Sequence, residues 1–133
     1  MVTSKTVLVV EDDAALRTLV KKVLETYGYL VIQAEDSVIA NGKARLQGGI
    51  VDLLLADINL PGLTGGEYAD FLQDINPNLK VLYMSGSPDD SLVRTHLRKK
   101  TAAFLQKPFT NQELVFAVKV ALGELPDLPK SFD

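Results

Sequence analysis

Leu53-Leu54-Leu55-Ala56 is the stretch that most restricts how this chain can fold. An apolar run with no alternating polar positions reads as a strand buried on both faces. Such strands belong to parallel sheets with helices above and below. The run is entered through Val51-Asp52 and left through Asp57-Ile58-Asn59-Leu60-Pro61-Gly62. It must end by Pro61, which has no amide hydrogen for the ladder. Asp57 therefore stands where the strand leaves the core. Ligands of open α/β sheets bind outside the carboxyl ends of the strands, so a carboxylate at this place is a candidate for chemistry.

The rest of the chain repeats the pattern. After a loose Met1–Lys5, Thr6-Val7-Leu8-Val9-Val10 is a second doubly buried strand and runs into Glu11-Asp12-Asp13. Asp13 can cap a helix from about Ala14 to Tyr27, with Leu16, Val20, Val23 and Leu24 on its apolar face and Arg17 and Lys21 largely elsewhere. Gly28 supplies a left-handed stop. Tyr29–Ala34 is the next strand, and Asp36 or Ser37 can cap a helix to about Leu46. Asn41-Gly42 weakens that helix by roughly 1 kcal/mol, and Gly48-Gly49 ends it. Gly62–Gly66 reads as a loop. The helix from about Glu67 to Ile75 is expected to bury Tyr68, Phe71, Leu72 and Ile75, with Pro77 closing it.

Lys80–Met84 is the fourth strand and ends at Ser85-Gly86-Ser87. Pro88 fits the first turn of a helix reaching Lys99. Ala102–Gln106 is the fifth strand, followed by Lys107-Pro108-Phe109. Thr110 and Glu113 form a capping box that opens a helix from Gln112 to Gly123. Glu124–Asp133, with Pro126 and Pro129, reads as a tail or the start of a linker. The order is (βα)5 with short connections, and right-handed crossovers make it a parallel sheet with helices on both faces.

Composition narrows the function. The 133 residues are about one domain, and 47% hydrophobic content argues against disorder throughout. The net charge of −3 and the lack of a long basic run give no footprint for nucleic acid. The absence of cysteine removes disulfides, thiolate metal sites and cysteine nucleophiles. No apolar run is long enough to span a bilayer, so the expectation is a soluble cytoplasmic protein with no membrane partner.

The alternation gathers functional groups at one edge of the sheet. Glu11, Asp12 and Asp13 follow the first strand, Asp57 the third, Ser85 the fourth and Lys107 the fifth. Crowded carboxylates repel one another and attract a hard divalent cation. Mg²⁺ takes one or two carboxylates plus phosphate oxygens, and a hydroxyl and an ammonium beside it would neutralise a phosphoryl group. A carboxylate facing the phosphoryl donor is then a nucleophile that forms an acyl phosphate.

Four motifs in this order carry a resemblance: Val7-Leu8-Val9-Val10-Glu11-Asp12-Asp13; Leu55-Ala56-Asp57-Ile58-Asn59-Leu60-Pro61-Gly62 with Gly65; Met84-Ser85-Gly86; and Phe104-Leu105-Gln106-Lys107-Pro108-Phe109. Over about Thr6 to Leu122 the chain resembles the receiver domain of two-component response regulators. The resemblance implies a flavodoxin-like, CheY-like doubly wound sheet of order 2-1-3-4-5 and a receiver domain over residues 6–123. It implies that Asp57 accepts a phosphoryl group from the phosphohistidine of a histidine kinase or a histidine phosphotransfer domain. Mg²⁺ (or Mn²⁺) would be held by Asp12, by Asp57, by the backbone carbonyl of Asn59 and, through water, by Glu11. Lys107 would pair with the Asp57 carboxylate and then with the phosphoryl group. Ser85 would turn its hydroxyl to that group, the backbone at Gly86 would contact it, and Phe104 would turn inward.

The implied bacterial phosphoprotein is no enzyme beyond its own phosphorylation and dephosphorylation. It would signal to an unknown output partner through the Pro88–Lys99 helix, the fifth strand and the last helix. It would be a monomer or a phosphorylation-dependent homodimer. Lys107-Pro108 resembles the family's cis peptide. The Tyr-Met-Ser-Gly-Ser-Pro-Asp-Asp and Phe-Leu-Gln-Lys-Pro-Phe-Thr wording is similar to receivers attached to hybrid sensor kinases, which would make the chain one domain of a longer protein.

Plainer readings exist for single residues. Glu11-Asp12-Asp13 alone would be a helix cap, Ser85-Gly86 a turn and Lys107 a surface lysine; their convergence with Asp57 favours the site. His96 alone makes no metal centre. Arg94, Arg98, Lys99 and Lys100 read as a solvated face, and Tyr68, Phe71 and Tyr83 as packing. A dehalogenase-type phosphohydrolase needs a second aspartate two residues after its nucleophile as general acid, and Asn59 stands there. A flavodoxin-type cofactor binder needs a phosphate loop after the first strand, where this chain has carboxylates. A receiver that binds its partner unphosphorylated is the third rival, and the complete residue set argues against it.

Overall fold

The computed structural model describes residues 4–46, 50–60, 64–86 and 102–124. The elements are β1 (Thr6–Val10), α1 (Ala14–Thr26), β2 (Leu30–Ala34), α2 (Ser37–Leu46), β3 (Leu53–Asp57), α3 (Gly65–Ile75), β4 (Lys80–Ser85), β5 (Ala102–Gln106) and α4 (Asn111–Ala121). The helix expected over Pro88–Lys99, with Arg94, His96, Arg98, Lys99 and Lys100, lies outside the described residues. So do Gly48-Gly49, Pro61-Gly62 and the tail beyond Glu124.

The five strands form one sheet of order β2-β1-β3-β4-β5, and every pairing is parallel. The central strands explain why their apolar runs are uninterrupted. Side chains alternate between faces, and each face has its own core. Leu8, Val10, Leu54, Ala56, Val81 and Tyr83 join Ala40 and Ala44 of α2 and Tyr68 and Ala69 of α3. Their neighbours Val7, Val9, Leu53, Leu55, Leu82 and Met84 join Val20 and Leu24 of α1 and Leu114 and Val118 of α4. All five residues of β3 are buried. The edge strand β2 buries only Ile32 and Ala34 and leaves Leu30 exposed.

Local signals act where the sequence places them. Asp13 caps α1 by accepting from the Leu16 amide. Asp36 caps α2: its Oδ1 accepts from the Ile39 amide at 2.8 Å. The helix then runs unbroken through Asn41-Gly42, because Ala40 and Ala44 are buried against the sheet and packing outweighs propensity. Gly28 (φ 93°) and Gly123 (φ 76°) take the left-handed conformation just beyond α1 and α4. The α4 capping box is complete, with Thr110 Oγ1 accepting from the Glu113 amide at 3.0 Å and Glu113 Oε1 from the Thr110 amide at 2.8 Å. Thr110→Ala should therefore lower stability by about 1 kcal/mol in urea unfolding, and Thr110→Ser should retain most of it. An alanine variant with wild-type stability would show that the box contributes nothing.

Two expectations for α3 need correction. The helix starts at Gly65, not near Glu67, because Thr64 and Glu67 form a second capping box that draws both glycines into the first turn. Phe71 and Ile75 are not buried; they are 47% and 69% exposed. The buried stripe runs through Tyr68, Ala69 and Leu72, so positions 71 and 75 fall on its margin. There α2 offers Asn41, Ala44 and Arg45, and a cleft remains between the helices. Phe71 stacks on Tyr68 with ring centroids 6.5 Å apart.

Candidate functional site

Parallel strands deliver their carboxyl ends to one edge, and four groups meet there. Glu11 follows β1; its amide donates to the Ala34 carbonyl of β2 at 3.1 Å. This extra rung carries the Glu11 side chain into the interior, where it is 1% exposed. Asp57 closes β3 and is 8% exposed. Asp12 points to solvent beside them. Ligand atoms of Glu11, Asp12 and Asp57 all lie within 4.8 Å of one another.

Lys107, just past β5, is the counter-charge. Its Nζ donates to Glu11 Oε1 and to Asp57 Oδ2, each at 2.7 Å. The remaining oxygens are also held. Asp57 Oδ1 accepts from the Asn59 amide at 2.8 Å, and Glu11 Oε2 from the Asp13 amide at 3.0 Å. The Lys107 backbone amide donates to the Ser85 carbonyl at 2.8 Å, and Lys107-Pro108 is cis.

The electrostatics follow burial. Burial pushes the Glu11 carboxyl above its ordinary range, against the lowering pull of Lys107 and the Asp13 amide. Burial pulls the Lys107 ammonium down, but its hydrogen bonds to Asp57 and Glu11, and their charges, outweigh it and hold it above its ordinary range. The two partners are not mirror images, because the Glu11 side chain is 1% exposed and that of Lys107 is 22% exposed. The ammonium stays charged and balances only one of three carboxylates. Hard oxygen donors carrying excess negative charge fit a divalent cation such as Mg²⁺.

Asp57, Glu11, Asp12 and Lys107 are thus brought together as the sequence implies, and Asn59 joins them through its amide. Ser85 is buried one residue past Met84, the register partner of Asp57. Gly86 follows it, exposed, with open space where a Cβ would stand. Phe104 is half-buried beside its register partner Tyr83, against the core on the α2 and α3 side. Sequence reasoning missed two contacts. The Lys107–Glu11 bond joins residues 96 positions apart, and nothing local announces it. Arg17, placed among the polar positions of its helix, donates Nη1 to the Glu11 carbonyl at 2.7 Å. The signal available was its place one helical turn after the capping Asp13.

Comparison with known proteins decides the family: the response regulator receiver domain matches residues 7–119. The chain belongs to the receiver domain family. This receiver domain is 33% identical over 119 residues to sensor kinase CckA of Brucella abortus, covering 90% of this chain but 13% of that protein. It is also 33% identical, over 118 residues, to the response regulator receiver protein CpdR of the same organism, covering 89% of this chain and 97% of that protein. Among solved structures, a CheY-like receiver domain protein from Methanospirillum hungatei superposes with a TM-score of 0.80 at 27% identity. That match covers 92% of this chain and 96% of the other. The receiver domain therefore spans a small part of one relative and nearly all of another. Receiver domains are phosphoacceptor modules of signalling proteins and interact with histidine kinases. The acidic pocket of Glu11, Asp12 and Asp57 fits the aspartate phosphorylation site. Among the described residues no helix is long and apolar enough to cross a membrane.

Proposed function

We propose that Asp57 is the phosphoryl acceptor and that the donor is the phosphohistidine of a histidine kinase or a histidine phosphotransfer domain in the cytoplasm. The observation that carries this reading is the Lys107 ammonium held at 2.7 Å by both Asp57 and Glu11, with Asp12 open to solvent beside them. In the transfer, an Asp57 carboxylate oxygen forms a bond to phosphorus as the phosphorus–nitrogen bond breaks, and the electron pair returns to the imidazole. Lys107 orients the carboxylate beforehand and receives a phosphoryl oxygen afterwards. The Asn59 amide holds the other carboxylate oxygen. Ser85, at the next strand end, supplies a hydroxyl to the new group, and the Gly86 backbone, unobstructed by a side chain, lines the approach. Phe104 follows the Ser85 movement and passes the change towards the β5 and α4 face. Attack of water on the acyl phosphate restores the carboxylate.

Mg²⁺ would be held by Asp12 and Asp57 with the Asn59 carbonyl, and by Glu11 through water. When bound, it supplies neutralising charge to the phosphoryl oxygens. Phosphorylation adds about −1.5 to −2 charge at Asp57, which is the signal presented to the output partner. The direct test is incorporation of label from a radioactive small phosphodonor, with and without Mg²⁺. Incorporation that survives hydroxylamine would overturn the acyl-phosphate reading, and incorporation that needs no Mg²⁺ would overturn the metal's part in it.

The metal can be tested by stability alone. Ligand bound only to the native state stabilises it by mass action, about 2.7 kcal/mol at a hundredfold excess over Kd. Millimolar Mg²⁺ should therefore raise the melting temperature of the wild type and leave Asp12→Ala unmoved. Equal responses of the two proteins would remove Asp12 from the site.

A further inference from the structure

We propose that Arg17 is a positioning residue for the metal site, acting on the backbone of the β1–α1 turn and not on the carboxylates; this rests on the Mg²⁺ reading above. Its Nη1 donates to the Glu11 carbonyl at 2.7 Å, a charge-assisted bond of the stronger kind. Among the described residues its guanidinium makes no ion pair with Glu11, Asp12, Asp13 or the nearby Glu35. A solvated surface arginine would have no reason to choose a carbonyl over those carboxylates.

The choice of carbonyl matters because of what it is joined to. The Glu11 oxygen belongs to the peptide between Glu11 and Asp12. Peptides are planar, so fixing that oxygen fixes the plane from which Asp12 departs. Asp12 is exposed, so side-chain packing cannot aim it; its backbone must. On the far side, the turn is held by the Asp13 amide on Glu11 Oε2 and by Asp13 capping the Leu16 amide. The near side is held by the Glu11 amide on Ala34 and by Arg17. Arg17 is the only side chain among the described residues that clamps this peptide. It reaches back from the end of the first turn of α1, along a recess shared with Gln33, Ala34 and Lys43.

Two effects of Arg17 oppose each other. Clamping presents Asp12 ready to ligate, whereas a guanidinium near the site repels a cation. The bond is short and directed, and the repulsion acts through a solvated edge, so clamping wins. Outer-shell partners of this kind are worth about 10–100-fold in metal affinity.

The test is titration calorimetry of Mg²⁺ into the unphosphorylated protein, together with melting in EDTA. Arg17→Met keeps the aliphatic stem and removes the donors; Arg17→Lys returns one donor on a shorter arm. Support is a Met variant whose Mg²⁺ affinity falls by about tenfold or more, a Lys variant that recovers part of it, and for either variant no larger loss of melting temperature in EDTA than the removal of one hydrogen bond explains. Unchanged or tighter Mg²⁺ binding in Arg17→Met overturns the proposal, the second because repulsion would then be the larger effect. Parallel loss of affinity and EDTA stability, without recovery in Arg17→Lys, also overturns it, since that marks a role in helix packing. Absence in the wild type of both Mg²⁺ heat and a rise of melting temperature in Mg²⁺ overturns the metal reading and this one together, and so is distinct from a failure of Arg17 alone.

Discussion

Asp57→Asn is expected to lose incorporation of phosphate from a small phosphodonor by a factor of about 10³ or more, the scale seen when a nucleophile is removed. The substitution keeps size and shape. An amide oxygen at the Oδ1 position can still accept from the Asn59 amide, the contact that measures 2.8 Å. What is lost is the charged oxygen that attacks phosphorus and the partner of the Lys107 ammonium at 2.7 Å. Lys107 keeps Glu11, so the variant should fold, and an unchanged far-ultraviolet spectrum will separate lost chemistry from lost structure. Label persisting at the wild-type level would move the acceptor to Glu11 or Asp12, the other carboxylates of the cluster.

The second large effect is on stability. Lys107→Met leaves the buried carboxylates of Glu11 and Asp57 facing each other without their ammonium. Removing one partner of a buried pair costs roughly 2–4 kcal/mol here, because the uncompensated charge remains inside. The sign of the pH dependence can be worked out. Glu11 is already raised by burial, against the pull of Lys107. An acid raised in the folded state holds its proton there while the unfolded chain has released it, so stability falls as pH rises through that window. Without Lys107 the carboxyl rises further, and the penalty at neutral pH grows. The difference between variant and wild type, measured by urea unfolding in EDTA, should therefore shrink as the pH drops from neutral towards the ordinary Glu range. The Lys107 contribution itself is present below its ordinary value of 10.5 and is lost as pH rises through the higher folded value. An equal deficit at mildly acidic and neutral pH would locate the energy somewhere other than the Glu11 carboxyl.

The fold was legible because the strands carry it redundantly. Each central strand is apolar at consecutive positions, and the structure gives each parity its own core. The carboxyl-end residues were legible for the same reason: once strand order is known, Glu11, Asp57, Ser85 and Lys107 have only one edge to share. Where reading failed, geometry finer than periodicity decided. Thr64 and Glu67 overrode the loop character of Gly65-Gly66 through a pair of side-chain bonds. Phe71 and Ile75 fit the helical spacing of a buried face, yet a shift of the stripe to Tyr68, Ala69 and Leu72 left them on its edge. Arg17 escaped because a polar residue near a helix start reads as solvated; only its hydrogen bond to the Glu11 carbonyl shows otherwise.

One feature of the strand ends sets a clock. The amides of Glu11, Ile58 and Lys107 each donate across to the neighbouring strand, to Ala34, Met84 and Ser85, just past the last residue of their own strands. The residues around Asp57 are therefore stitched to the sheet and not carried on free loops. Backbone amides fastened to a buried core exchange with solvent by the rare openings that unfold it, whereas loop amides exchange by local fluctuation. Glu11, Ile58 and Lys107 should thus rank with the central strands in hydrogen–deuterium exchange. The platform on which the phosphoryl group arrives is as long-lived as the folded state.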